Sequence, residues 1–147
     1  LIVDGGREPR AATLLWAIVI ARPEETIMHV FAQGDVVLVR VDDVEPTPES
    51  IVAPLGGEVV LAEGEHTGHR HAFYGGALMF RDDALARNVP DALYIGHVKV
   101  APGGAVLEHG TGPGAQGDHD PITLPAGTYV ARRQREFTGR DARRVED

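Results

Sequence analysis

The sequence predicts a mainly β domain, folded as a small barrel or sandwich with one short helix ahead of it. Three observations lead there. Eighteen glycines and ten prolines punctuate 147 residues and leave little room for long helices. The segments between them are short and rich in Val, Ile, Leu and Phe, the composition of half-buried strands. About eight such segments follow one another at regular spacing, the cadence of a sandwich or a partly closed barrel.

Taken in order, the apolar run Ala11 to Ala21 reads as a short helix ending before Pro23. It is about half the length a bilayer span needs, and it lacks the polar spacer a signal peptide carries before its cleavage site. The strand pattern starts near Met28, with Val30 and Phe31, then Val36 to Val41 between Gly34 and Asp42-Asp43. Residues 1–27 therefore read as an extension, 28–137 as the domain and 138–147 as a frayed or helical tail. Three prolines make Val44 to Pro54 a loop. Glu58 to Glu63 and His69 to Tyr74 form a hairpin around Gly64 to Gly68. Gly75-Gly76 introduces Ala77 to Phe80, and Arg81 to Val89 is a helical turn stopped by Pro90. Leu93 to Val100 and Ala105 to His109 read as the clearest hairpin, because Pro102-Gly103-Gly104 supplies turn dihedrals. Gly110 to Gly117 is loop. Ile122 to Leu124 and Thr128 to Phe137 form the last strand pair.

Composition removes several function classes. The net charge is −8, whereas general nucleic-acid affinity comes from clustered Lys and Arg that release counterions; no nucleic acid is expected as partner. No membrane span is present, and a cytoplasmic location is expected. The absence of cysteine excludes disulfides, thiolate metal sites and cysteine nucleophiles. The single serine, Ser50, lies in the Pro-rich loop, so a serine hydrolase is not expected.

Chemistry concentrates in Gly64-Glu65-His66-Thr67-Gly68-His69-Arg70-His71, which holds three of the seven histidines. On an extended chain His69 and His71 share a face, and paired neutral imidazoles suit a divalent metal. A third ligand is expected from His119, just ahead of a strand, or from His109, at the end of one. Zinc, iron, manganese and nickel all fit such donors. Glu65 is the candidate general base, or a partner to one of the imidazoles. His97, in an apolar strand, reads as a satisfied core or rim histidine, and His29 lies near a terminus; both are left out.

A second constellation is Tyr129 to Phe137, where alternation places Tyr129, Arg133, Arg135 and Phe137 on one face. Two guanidinium groups there could orient an anionic ligand. Charged residues protecting a sheet edge explain the same pattern.

Two resemblances follow. Gly64, then His69-x-His71, and later Pro125-x-Gly127 before a strand resemble the two signature regions of cupins, small metal-binding β-barrels. The acidic residue expected after the paired histidines falls at Gly75-Gly76, and the second region's histidine position is Val130, so a third ligand must come from elsewhere. Gln33 to Val39, Gly64 to His71, His119 to Tyr129 and Arg133 to Phe137 resemble an uncharacterised family of small bacterial proteins. In that family the position of His66 is often aliphatic, which favours His69 and His71 as the pair. The resemblance also implies that Gly110 to Gly117 is an insertion.

Together these readings give a cupin-like β protein binding one divalent metal through His69, His71 and His119 or His109. A metal-assisted hydrolase or lyase acting on a small anionic substrate is the catalytic expectation, with Tyr129, Arg133 and Arg135 at the substrate. The alternative is a non-catalytic binding or assembly module, a homo-oligomer or a partner of another protein, acting through its apolar N-terminal segment and Arg-rich last strand.

Overall fold

The computed structural model describes residues 29–64, 68–86, 89–115, 117–138 and 141–144. Its strands, in chain order, are β1 (Val30–Gln33), β2 (Val36–Val41), β3 (Val59–Glu63), β4 (Arg70–Phe73), β5 (Ala77–Phe80) and β6 (Tyr94–Val100). They continue with β7 (Ala105–Gly110), β8 (Ile122–Leu124), β9 (Gly127–Arg133), β10 (Arg135–Thr138) and β11 (Asp141–Arg144). One sheet runs β1-β2-β9-β6-β5 and the other β3-β4-β7-β8, while β10 and β11 make a separate pair. Every strand pairing is antiparallel.

The two large sheets enclose one core. Val36, Leu38, Phe73, Val98, Leu107, Leu124, Tyr129 and Ala131 fill it, contributed by alternate positions of the strands. A smaller cluster of Ala86, Tyr94 and Val130, with Val39, Val41 and Val89 against it, covers the other face of the five-stranded sheet. That cover comes from the 81–93 segment and lies over the middle of the sheet, so β6 is buried on both faces while Val30 on β1 and Leu78 on β5 stay exposed. Tyr94 and β6 are accordingly buried along nearly their whole length.

Several expectations change. Among the described residues the sheets form a sandwich and no closed barrel, so the barrel half of the expectation does not hold. Val130, at the cupin second-region position, packs with Ala86 and Tyr94 and offers nothing to a metal. The N-terminal helix lies outside the described residues. Arg81 to Val89 makes successive turns, such as Leu85 N–H to Asp82 O at 3.1 Å and Val89 N–H to Ala86 O at 2.9 Å, and its described residues form no helix. The tail after Thr138 is neither helical nor frayed where it is described, because Asp141–Arg144 pairs with Arg135–Thr138.

The hairpin expected of Leu93 to Val100 and Ala105 to His109 is the most instructive correction. Both strands exist, but they belong to different sheets: β6 lies between β9 and β5, and β7 between β4 and β8. Local turn chemistry fixes a reversal without choosing which sheet receives the next strand, and β6 already has both edges paired. The crossing is close-packed. A Cβ on Gly104 (φ 81°) would stand 2.8 Å from Leu124 O, and one on Gly76 (φ 72°) would stand 2.8 Å from Gly104 O. β8 and β9 likewise join opposite sheets rather than pairing, and β9 ends at Arg133 instead of running to Phe137.

Candidate functional site

Strand register builds the site. His71 on β4 and His109 on β7 are direct partners across an antiparallel pair. Each shares the inner face with a core residue two positions away, Phe73 and Leu107 respectively. Two imidazoles thus continue the apolar core at one end of the sandwich. Their rings stack with centroids 4.4 Å apart and planes at 28°. His69, on the same face just ahead of β4, meets His109 edge-on at 5.3 Å. His119, from the segment between β7 and β8, lies 4.7 Å from His109 and 6.0 Å from His71. All four histidines expected at the site are therefore brought together, with His109 at the centre.

The facing wall comes from the other sheet. β1 and β2 are joined by the two-residue turn Gly34-Asp35, whose glycine has φ 56° as this hairpin geometry requires. The turn carries Gln33 and Asp35 into the interior, where they are 3% and 1% exposed. Gln33 Nε2 donates to Leu107 O at 3.1 Å and to Asp120 O at 2.8 Å, and Gln33 Oε1 lies 2.8 Å from His71 Nδ1. With the amide nitrogen turned to two carbonyls, the amide oxygen faces the ring, so His71 Nδ1–H is the donor of this bond. In neutral His71 the other nitrogen, Nε2, is then an acceptor. It faces Asp35 Oδ1 at 3.7 Å.

Arg133, at the end of β9 and on the same face as Tyr129, donates from Nη1 to Asp35 Oδ2. The backbone adds Gln134 N–H to Asp35 O at 2.7 Å. His69 Nδ1 lies 3.8 Å from Oδ2 of the exposed Asp118. Outside the cluster, a cavity of about 380 Å³ opens onto His109 and His119 and is also lined by Glu108, Gly117, Asp120 and Pro121. Its wall is tight. A Cβ on Gly117 would fall 2.1 Å from His109 O and 2.8 Å from His109 Nδ1. Glu108 accepts from Gly114 N–H at 3.0 Å, which ties the loop to β7.

The remaining expected residues lie elsewhere. Tyr129 is fully buried in the core, edge-on to Phe31 at 5.9 Å, and its hydroxyl donates to Pro125 O at 2.7 Å. Arg133 is near the cluster but engaged by Asp35. Glu65, His66 and the side chain of Arg135 lie outside the described residues. His97 is a satisfied buried histidine, 2.6 Å from the Tyr94 hydroxyl and stacked on Phe80 at 5.3 Å. Burial holds its pKa below the ordinary imidazole value, against the opposing charge of Asp82. Sequence reasoning does not find Gln33 and Asp35, because polar residues beside a turn read as solvated until the turn is found inside the sandwich.

The donor set has metal-binding chemistry, since neutral imidazoles and a buried carboxylate are the usual nitrogen and oxygen ligands of divalent ions. Its disposition is a separate matter. Among the described residues no group of three or more His, Asp or Glu side chains is placed to hold a metal ion as the side chains stand. The stacking of His71 on His109 gives one reason, because ring lone pairs lie in the ring plane and stacked rings do not aim them at each other's axis.

Fold and cluster define an antiparallel β-sandwich domain with a histidine-lined interior end. The chain belongs to the DUF8820 family, a domain of unknown function, whose sequence model matches residues 32–134. That stretch contains Gln33, Asp35, His69, His71, His109, His119 and Arg133. No curated protein and no solved structure matches the chain. No helix among the described residues is long and apolar enough to cross a membrane.

Proposed function

We propose that the histidine cluster is a divalent-metal site, with His71, His69, His109 and His119 as its imidazole donors and Asp35 as its anionic one. The observation that carries the reading is the convergence of His71 Nε2 and Asp35 Oδ1, 3.7 Å apart in the interior, with the rings of His109, His69 and His119 beside them. An imidazole nitrogen and a carboxylate oxygen are the usual nitrogen and oxygen ligands of divalent ions. Two ligands each about 2.1 Å from one ion at a tetrahedral angle stand roughly 3.4 Å apart, close to the separation found. Completing the site requires His109 to turn out of its stack on His71, a rotation about its side-chain torsions. The cavity beside His109 and His119 gives that ring somewhere to go.

An ion there would supply Lewis-acid polarisation to an oxygen of a small molecule in the cavity. The chain's own residues would form the walls. Glu108 and Asp120 line the cavity, and no Lys or Arg is among its described lining residues. The arginine expected to anchor an anion, Arg133, is held by Asp35. The reading therefore moves from an anionic substrate to a small neutral or cationic one.

The test is metal analysis of protein purified without a histidine tag and loaded with zinc or manganese. About one equivalent per chain is expected. His119→Ala and His69→Ala, both at partly exposed positions, should weaken binding while leaving the fold intact. A folded wild-type protein that retains no metal after loading removes the proposal.

A further inference from the structure

We infer that Gln33 is the positioning residue of the cluster: it fixes His71 with its proton on Nδ1 and its Nε2 turned to Asp35, and it tethers the segment carrying His119. The inference deepens the metal reading and rests on it only where metal affinity is measured.

Three contacts of one carboxamide carry it. Gln33 stands on β1 of the five-stranded sheet, yet among the described residues its side chain bonds to groups of the other side: Leu107 O on β7, Asp120 O beside His119, and Nδ1 of His71 on β4. Each amide hydrogen has one carbonyl, so the amide cannot turn over without placing its oxygen against two other oxygens and its NH2 against the ring. That arrangement costs two hydrogen bonds, one buried and one part-buried, and leaves acceptors facing acceptors. The orientation of Gln33 is thereby determined by backbone carbonyls, and the tautomer of His71 follows from Gln33. Because Asp120 adjoins His119, the 2.8 Å bond to its carbonyl also fixes where His119 enters the cluster. One side chain thus sets the ligand atom of one histidine and the approach of another. Neighbours that orient ligating histidines in this way are typically worth about 10–100-fold in metal affinity.

The first experiment uses the metal-free wild-type protein and reads the ring nitrogens of His71 by 15N NMR at pH 8. The expected signature is a protonated Nδ1. An Nδ1 without a proton overturns the inference. The second experiment compares Gln33→Glu with Gln33→Met. The glutamate keeps an acceptor for His71 and loses the two donors, whereas the methionine fills the volume and loses all three bonds. His71 should keep its Nδ1–H tautomer in Q33E and lose it in Q33M, and the His119 ring resonances should shift in both. If either variant fails to fold, the other and the wild-type measurement still decide. In zinc competition titrations a folded Q33M should bind about 10–100-fold more weakly, and unchanged affinity counts against the role. Should wild type bind no zinc at all, the metal reading falls while the tautomer measurement still judges Gln33.

Discussion

Replacing Asp35 by Asn removes one negative charge from the interior without changing volume, so no cavity enters the reckoning. In the wild type Oδ2 accepts from Arg133 Nη1 and Oδ1 faces His71 Nε2 at 3.7 Å. The Asp35 side chain is 2% exposed and that of Arg133 17%. A hydrogen bond to a charged group is worth about 1.5–3 kcal/mol, and orphaning a fully buried charge about 3–5 kcal/mol. Because Arg133 retains access to water, the lower range applies, and a loss of about 2 kcal/mol is expected. For a domain of this size that lowers the melting temperature by roughly 5–8 °C. The metal effect is separable. With free zinc at 100 times the wild-type Kd, linkage stabilises wild type by about 2.7 kcal/mol. If Asp35 is a ligand and its loss weakens binding about 100-fold, the variant gains only about 0.4 kcal/mol under the same conditions. Melting curves of both proteins with and without zinc, paired with a chelator-competition titration, measure the two terms. A variant that melts with wild type refutes the buried ion pair as argued. Equal zinc increments refute Asp35 as a ligand.

Further outcomes follow from particular contacts. Gly117→Ala places a Cβ 2.1 Å from His109 O, and overpacking of this kind costs about 1–3 kcal/mol; thermal melting should show it, while Gly112→Ala, with nothing within 4 Å of its Cβ, should melt like wild type. His97 has its folded pKa depressed by burial, so the unfolded chain takes up its proton first and stability falls as pH drops below about 6.5. Urea midpoints at pH 7.5 and 5.5 should differ less in His97→Gln than in wild type, and an identical difference contradicts the assignment. A chain beginning at Met28 retains every strand of both sheets and is expected to fold with the same metal content, checked by circular dichroism and metal analysis.

Composition and local pattern marked the side-chain chemistry available and most strands of the two large sheets, but not the break after Arg133 or the pairing of Asp141–Arg144 with Arg135–Thr138. Short β-branched runs between glycines and prolines specify β structure, because turn residues and period-two alternation act over a few residues. The same alternation put His69 with His71 on one face, and Tyr129, Arg133, Arg135 and Phe137 on another, whereas the strand carrying Tyr129 and Arg133 ends before Arg135 and Phe137. What alternation cannot say is which face looks inward or which strand lies alongside, since those depend on contacts distant in sequence. Tertiary structure decided that the 101–104 turn crosses between sheets, which puts β7 beside β4 and His109 opposite His71. It also folded the Gly34-Asp35 turn into the sandwich, so that Gln33 and Asp35, polar residues beside a turn, became the buried partners of His71. Pairing of distant strands is set by the burial of a whole sheet face, and no local window of sequence contains that balance.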